Sequence, residues 1–439
     1  MARSRRHSRL CVFQNGEIVG YLSKQPSGAI DFKYAEKWLS NERAYPVSLS
    51  LPLREDAFKG APVVAVFDNL LPDSEALRSR VAQKVGADGT DAYSLLAQIG
   101  RDCVGALQFV PENMAVDFSD LADIQGEEIS ETDIEKILNN LANVPLGLDR
   151  ERDFRISVAG AQEKTALLLH DGKWMCPYGP TPTTHILKTQ IGELPNGIDL
   201  SNSVENEYYG LAVMKAFGLP VNKTEIKSFG DTKSLVIERF DRAWRDDGAL
   251  LRIPQEDFCQ ALSIPPSRKY QSDPRPQGEK QPNMVEILNL LKASDRPAED
   301  QKAFLKAQIV FWLIGATDGH AKNFSVYIGS GGRFFLTPFY DVLTAQPFLD
   351  KQQIERNKMK MAMSVGNNNH YRMDEIQARH FIETGKNAGL PDYIAKDALE
   401  EIFDVAEKAM QDVERKLPSD FPEEIHEAVF RGIRSRIEV

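Results

Sequence analysis

The sequence predicts an α+β fold in two lobes, the first β-rich and the second all-α, with an extra α/β subdomain at the N-terminus. Three observations predict it. Short apolar stretches separated by turn residues fill 152–245 around one helical segment. Further on, the apolar positions take helical spacing: in 299–316, Leu305, Ile309, Trp312, Leu313 and Ala316 recur with a 3.6-residue period. A chain of 439 residues also exceeds one ordinary domain.

Residues 1–110 read as the N-terminal subdomain. Leu10–Phe13 and Ile18–Leu22 flank Asn15-Gly16, a pair suited to a two-residue turn with positive φ, and predict a hairpin. An amphipathic stretch over Asp73–Val85 predicts a helix capped by Asp73 or Ser74. Leu95–Gly100 and Val104–Val110 close the subdomain. Residues 111–150 are acid-rich and read as a connector with a helix near Thr132–Asn143. Residues 151–250 form the β-rich lobe. Its strands are Thr165–Leu169, Lys173–Cys176 after the Asp171-Gly172 turn, Thr183–Lys188, and Val236–Asp241 running into a junction. Residues 251–439 form the helical lobe. Its segment 265–283 holds five prolines among polar residues and reads as a mobile surface loop. Phe324–Ile328 and Gly332–Leu336 predict a second hairpin, and 374–436 two or three helices.

Composition excludes several classes. With 42% apolar and 27% charged residues the chain is not dominated by disorder. A formal charge of −11 means that it does not coat nucleic acid by electrostatics alone. Contact with DNA needs a local patch such as Arg3, Arg5, Arg6 and Arg9, or Arg431, Arg434 and Arg436, or a basic partner. Cys11, Cys103, Cys176 and Cys259 are too widely spaced for a zinc finger or a disulfide scaffold, and read as reduced thiols. No apolar run has the length of a signal-peptide core or a membrane span, so the expected location is the cytoplasm, with no membrane partner.

The candidate chemistry is phosphoryl transfer. Asp318 and Asn323 share a short polar loop behind an apolar helix. Such a pair can orient the attacking hydroxyl, accept its proton and help to hold Mg²⁺. Asp341, at the end of Leu336-Thr-Pro-Phe-Tyr-Asp341, supplies a second oxygen ligand, and few ligands from two loops suit Mg²⁺. Lys188 ends an apolar strand and can reach ATP phosphates, with Glu205 or Glu207 as its partner and Glu207 preferred. The small-residue segment Val158, Ala159, Gly160, Ala161, Gln162, Glu163, Lys164 precedes a strand pair and lets backbone N–H groups approach phosphates, although it is neither GxGxxG nor a Walker loop. Glu238 and Phe240 lie where a linking strand could carry adenine. Each signal is weak alone. Their serial order is that of a protein-kinase-like catalytic unit.

Ser157-Val-Ala-Gly-Ala-Gln-Glu-Lys164, Thr183-Thr-His-Ile-Leu-Lys188, Gly315-Ala-Thr-Asp-Gly-His-Ala-Lys-Asn323 and Leu336-Thr-Pro-Phe-Tyr-Asp341 resemble the HipA family of bacterial toxin kinases. Phe67-Asp-Asn-Leu-Leu-Pro-Asp73 and Ile99-Gly-Arg-Asp-Cys-Val-Gly-Ala-Leu107 resemble that family's N-terminal subdomain. The resemblance implies an ATP- and Mg²⁺-dependent serine/threonine kinase of a type II toxin–antitoxin pair. It implies a HipB-like helix-turn-helix antitoxin dimer, operator DNA reached through that antitoxin, and a glutamyl-tRNA synthetase as substrate. It casts Asp318 as the catalytic residue, Asn323 and Asp341 as Mg²⁺ ligands, and Lys188 with Val158 to Lys164 as the phosphate site. Glu238 and Phe240 become adenine contacts, His320 a positioning residue and Ser157 the autophosphorylated serine. No His-Arg precedes Asp318, and Val-Leu rather than Phe-Gly follows Asp341, so an activation segment of the eukaryotic kind is not expected. The rival readings are a catalytically silent co-repressor acting through antitoxin and DNA, and a small-molecule or lipid kinase.

Overall fold

Asn15 and Gly16 both take positive φ, 45° and 85°, so the chain reverses within two residues. Strand Leu10–Gln14 then pairs antiparallel with Glu17–Lys24, setting Leu10 opposite Leu22. The protein, described by a computed structural model at residues 8–147, 162–274, 277–278 and 280–438, divides into two compact units. The first comprises Met1–Thr189, Lys227–Ser267 and Val326–Arg333; the second comprises Gln190–Ile226, Arg268–Ser325 and Phe334–Val439.

In the first unit the hairpin grows into a five-stranded antiparallel sheet. The order is Phe58–Lys59, Ile30–Tyr34, Glu17–Lys24, Leu10–Gln14, Leu107–Pro111. Alternate residues Leu10, Val12, Phe32 and Phe109 face a core shared with helices Ala61–Asp68, Glu75–Val85 and Ala92–Ile99. Phe67 lies 5.5 Å from Phe32 and 5.6 Å from Phe109 by ring centroid. Burying one such ring contributes roughly 1.5–3 kcal/mol. Gly20 has no room for a side chain, because a Cβ there would lie 2.7 Å from the Phe32 ring. Of the two candidate caps, Ser74 is the one used: its side chain accepts from the Leu77 amide.

A second sheet in the same unit sets Thr232–Glu238, His185–Thr189, Lys164–His170, Lys173–Pro177 and Gly126–Glu128 side by side. The Asp171-Gly172 turn has the expected positive φ at both positions. Residues 126–128, within the acid-rich segment, add an edge strand to this sheet. The helix that follows spans Glu131–Asn139 and carries a Ser130/Asp133 capping box.

The second unit is built around helix Pro297–Ile314. Beyond the apolar stripe, Phe304, Ala307, Gln308, Val310 and Phe311 are buried as well, so the helix is covered on nearly all sides over its C-terminal half. Helices Asp392–Glu414 and Glu423–Ile437 lie against it, and Ala378–Asn387 completes the C-terminal set. The described residues of 265–283 are in part buried. Pro266–Arg268 form a short 3-10 turn. Gln271 is buried, donating to Ser364 Oγ at 2.8 Å and accepting from the Ser364 amide at 2.8 Å. All four cysteines are free thiols. Among the described residues no helix is long and apolar enough to cross a membrane.

Candidate active site

The Asp318 loop is fixed by how the central helix ends. Gly315 adopts φ 72°, and its amide donates to Trp312 while that of Ala316 donates to Phe311 at 2.8 Å. This double bond at a left-handed residue is a Schellman stop. Gly319 follows against the Phe311 ring, where a Cβ would approach to 2.4 Å. The loop then closes on itself. The His320 amide donates to the Asp318 carbonyl at 2.8 Å, and Asn323 Nδ2 donates to the same carbonyl at 2.8 Å. With its nitrogen so engaged, the Asn323 amide turns its oxygen to the opposite side. Asn323 and His320 are buried, whereas the Asp318 carboxylate is 51% exposed. His320 Nε2 lies 3.9 Å from Asp318 Oδ1, and the Tyr270 phenol donates to that same Oδ1.

The segment bearing Asp341 is tied to this loop. The Thr337 amide donates to the Ser325 carbonyl at 3.0 Å. The Tyr340 hydroxyl donates to the Lys322 carbonyl at 3.0 Å and lies 2.6 Å from Ser325 Oγ. One phenol therefore links the neighbour of Asp341 to the neighbour of Asn323. Asp341 has φ 59°, a left-handed conformation that costs a non-glycine residue about 1–3 kcal/mol and persists only where the surroundings impose it. Those surroundings are specific. Phe339 bridges Pro220 and Asn222, and Asn206 exchanges two bonds with the Thr344 backbone, at 2.9 and 2.8 Å. Gly210 meets the Val342 carbonyl so closely that a Cβ would lie 2.1 Å from it. Asn206 and Gly210 belong to helix Ser203–Ala216, which also carries the buried Glu205 and Glu207. Glu205 accepts from Gln190 at 2.6 Å.

The first unit holds the residues expected at the nucleotide. Lys188 and Lys164 are register partners on adjacent antiparallel strands, so both ammonium groups leave one face of the sheet, and both residues are buried. Leu235, opposite Lys188, continues that face with Ala166, Ile186 and Ile237. Gln162 donates to the Thr189 carbonyl at 3.1 Å, and Glu163 pairs with Arg80 at 2.8 Å. Glu238 is exposed at its strand end, and Phe240 is half-buried against Tyr327, which donates to the Phe240 carbonyl at 3.1 Å. Ser157, Val158, Ala159, Gly160 and Ala161 lie outside the described residues, as do Arg3, Arg5 and Arg6.

Sequence reasoning missed a buried ion cluster. Arg239 forks onto Asp241 at 2.9 and 2.8 Å and reaches Asp102 at 3.3 Å. Arg242 and Arg252 also bond Asp102, and Thr183 donates to it twice. The Gly105 amide donates to Asp241 at 2.7 Å. The cluster thus binds the Ile99–Leu107 string to the junction strand beside Phe240. Burial disfavours ionisation of Asp102 and Asp241, but the arginines outweigh it and hold both carboxyls below the usual range. The signal was present in the two strings, but their complementarity joins residues more than a hundred positions apart. Asn206, Gly210 and Tyr270 carried no local signal at all.

Of the C-terminal arginines, Arg436 is half-buried and its guanidinium is engaged within the protein, donating to the Leu313 carbonyl at 2.9 Å and to Gln346 at 2.8 Å. Arg431 and Arg434 pair with Asp350 and Glu407, and Arg9 pairs with Glu112 and stacks on Tyr21.

Comparison with known proteins decides the family. The profile of the HipA-like C-terminal domain matches residues 156–411, and that of the HipA N-terminal domain matches residues 10–110. The chain belongs to the HipA family. A relative in Sinorhizobium fredii, Y4mE, named as a candidate kinase, is 36% identical over 87% of this chain and 86% of its own length. The serine/threonine-protein kinase toxin HipA of Shewanella oneidensis is 27% identical over 73% of this chain and 71% of its own. The fold of this HipA-family chain is also that of the HipA toxin solved with HipB and operator DNA from Shewanella oneidensis. The TM-score is 0.79 at 22% identity, covering 98% of this chain and 96% of that one. The expected α+β toxin-kinase fold is therefore the observed one.

Proposed function

We propose that this HipA-family chain is an ATP- and Mg²⁺-dependent serine/threonine protein kinase, the toxin of a toxin–antitoxin pair. The observation that carries the reading is the construction of the Asp318 loop: a half-exposed carboxylate, a buried amide bonded to its backbone, and a tyrosine bond that ties in the segment of Asp341. Asp318 orients the acceptor hydroxyl and takes its proton as the oxygen attacks the γ-phosphorus. The new O–P bond forms, the bridging P–O bond breaks and ADP leaves. The Asn323 amide oxygen and the Asp341 carboxylate are hard oxygen donors and fit Mg²⁺, which when bound neutralises charge on the phosphates. Lys188 and Lys164 take ATP phosphates. Glu238 and Phe240 border the adenine, and His320 positions Asp318.

The substrate class proposed is a glutamyl-tRNA synthetase. Ser157 is the proposed site of autophosphorylation, adding about 1.5–2 negative charges beside the phosphate loop and so weakening ATP binding. By analogy with the solved complex, the partners are a HipB-like antitoxin dimer and, through it, operator DNA. The test is incubation of the full chain with γ-labelled ATP and Mg²⁺, alone and with glutamyl-tRNA synthetase. Label on Ser157 and on the synthetase is expected. Absence of label from both, with operator binding in the presence of antitoxin retained, would replace this reading with that of a silent co-repressor.

A further inference from the structure

Tyr270 makes the contact that a substrate would make. Its phenol donates a hydrogen bond to Asp318 Oδ1, the oxygen proposed to receive the proton of an acceptor hydroxyl. The ring is held for that task. It stands edge-on to His320 with centroids 4.9 Å apart, and Lys269 Nζ lies 5.6 Å over it. Its amide donates to Asp273 Oδ2 at 2.9 Å, and its carbonyl accepts from the Asp273 amide at 3.1 Å. The next residue, Gln271, is buried and doubly bonded to Ser364 in strand Lys360–Val365, and its carbonyl accepts from Gln281 at 3.3 Å. Gln271 thus anchors the chain next to Tyr270, whose side chain presents a hydroxyl to Asp318.

We propose that Tyr270 is a built-in competitor for the acceptor position: its hydroxyl fills the site of the substrate hydroxyl at Asp318 and must withdraw before a serine or threonine can be phosphorylated. The proposal rests on the kinase reading of Asp318. It makes Tyr270 a determinant of which acceptors react, since only one that displaces the phenol gains the carboxylate. A hydrogen bond to a charged group has to be broken for each productive encounter.

Tyr270→Phe removes the hydroxyl and keeps the ring against His320. The probe is Mg–ATP with water as the acceptor, so that no protein substrate need be known. ADP release by the full chain should rise roughly 10-fold in Tyr270→Phe, with the KM for ATP unchanged. Gln271→Ala, which frees the anchor without touching Asp318, should raise it in the same direction. Turnover equal to or below wild type in Tyr270→Phe would overturn the competitor role and make Tyr270 a support for Asp318, while label on Ser157 in the same preparation would leave the kinase reading intact. If wild type, both variants and Asp318→Asn release ADP alike, the kinase reading fails and the competitor role falls with it.

Discussion

Replacing Asp102 by Asn tests the cluster that binds the N-terminal subdomain to the junction strand. Asp102 is fully buried and accepts from Thr183 at 2.6 and 3.1 Å, from Arg242 at 2.8 Å and from Arg239 and Arg252 at 3.3 Å each. The cluster sets three guanidiniums against two carboxylates. Asp102→Asn keeps the shape and removes one of those two charges, leaving three buried cations around Asp241 alone. Breaking a buried pair in this way costs about 3–5 kcal/mol. For a unit of this size that lowers the melting temperature by roughly 6–20 °C, at ~2–4 °C per kcal/mol. The pH dependence has a definite sign. Both carboxyls sit below the ordinary aspartate value of 3.8 in the folded state, so their contribution is complete above pH ~4 and lost as pH falls toward the folded values. Differential scanning calorimetry from pH 3 to 7 should therefore show a constant gap between wild type and variant above pH ~4 that narrows as pH falls below it. A variant melting within a degree of wild type at pH 7 would refute the reasoning.

Three further outcomes follow from the same coordinates. Gly210→Ala should cut phosphotransfer more than it cuts nucleotide binding, because its Cβ would press on the Val342 carbonyl beside Asp341; parallel kcat and fluorescent-nucleotide titrations check this. Tyr340→Phe removes the bond to the Lys322 carbonyl and should cost about 0.5–1.5 kcal/mol of stability, with weaker Mg²⁺ dependence of nucleotide binding read by titration. Burial pushes the Glu256 carboxyl up to about 8, against the opposing bonds from Ser48 and Leu49. The folded state thus holds that proton more tightly than the unfolded one, and stability falls as pH rises from about 4.5 to about 8. Glu256→Gln should flatten that slope in chemical denaturation measured across the same window.

What could be read from the sequence was what is decided locally. Asn15-Gly16 and Asp171-Gly172 specify their turns through φ alone, so both hairpins were legible. Ser74 announced its helix because capping is a matter of three or four residues. The helix over 297–314 was found, but its covering was not: helices from residue 392 onward lie against it, and Phe311 packs on Phe324. The Asp318 and Asp341 segments were legible as motifs. The pieces that aim them were not, since Asn206, Gly210 and Tyr340 act through backbone atoms of distant residues and any sequence contains many such residues. The same reason hid the Asp102 cluster. Its two halves stood in strings already singled out, yet one sequence does not say that they touch. Within 265–283 the sequence offered only its prolines, and it did not show that Gln271 would be buried with two bonds to Ser364, ninety-three positions away.

The most direct measurement of the central claim is phosphotransfer by Asp318→Asn beside its affinity for Mg–ATP. Turnover should fall by about 10²–10⁴, the range for a lost acid–base group, while ATP affinity stays within a factor of ~5 of wild type, the equivalent of a net hydrogen bond of about 1 kcal/mol. Undiminished phosphotransfer in that variant would mean that the carboxylate at 318 takes no part in the reaction.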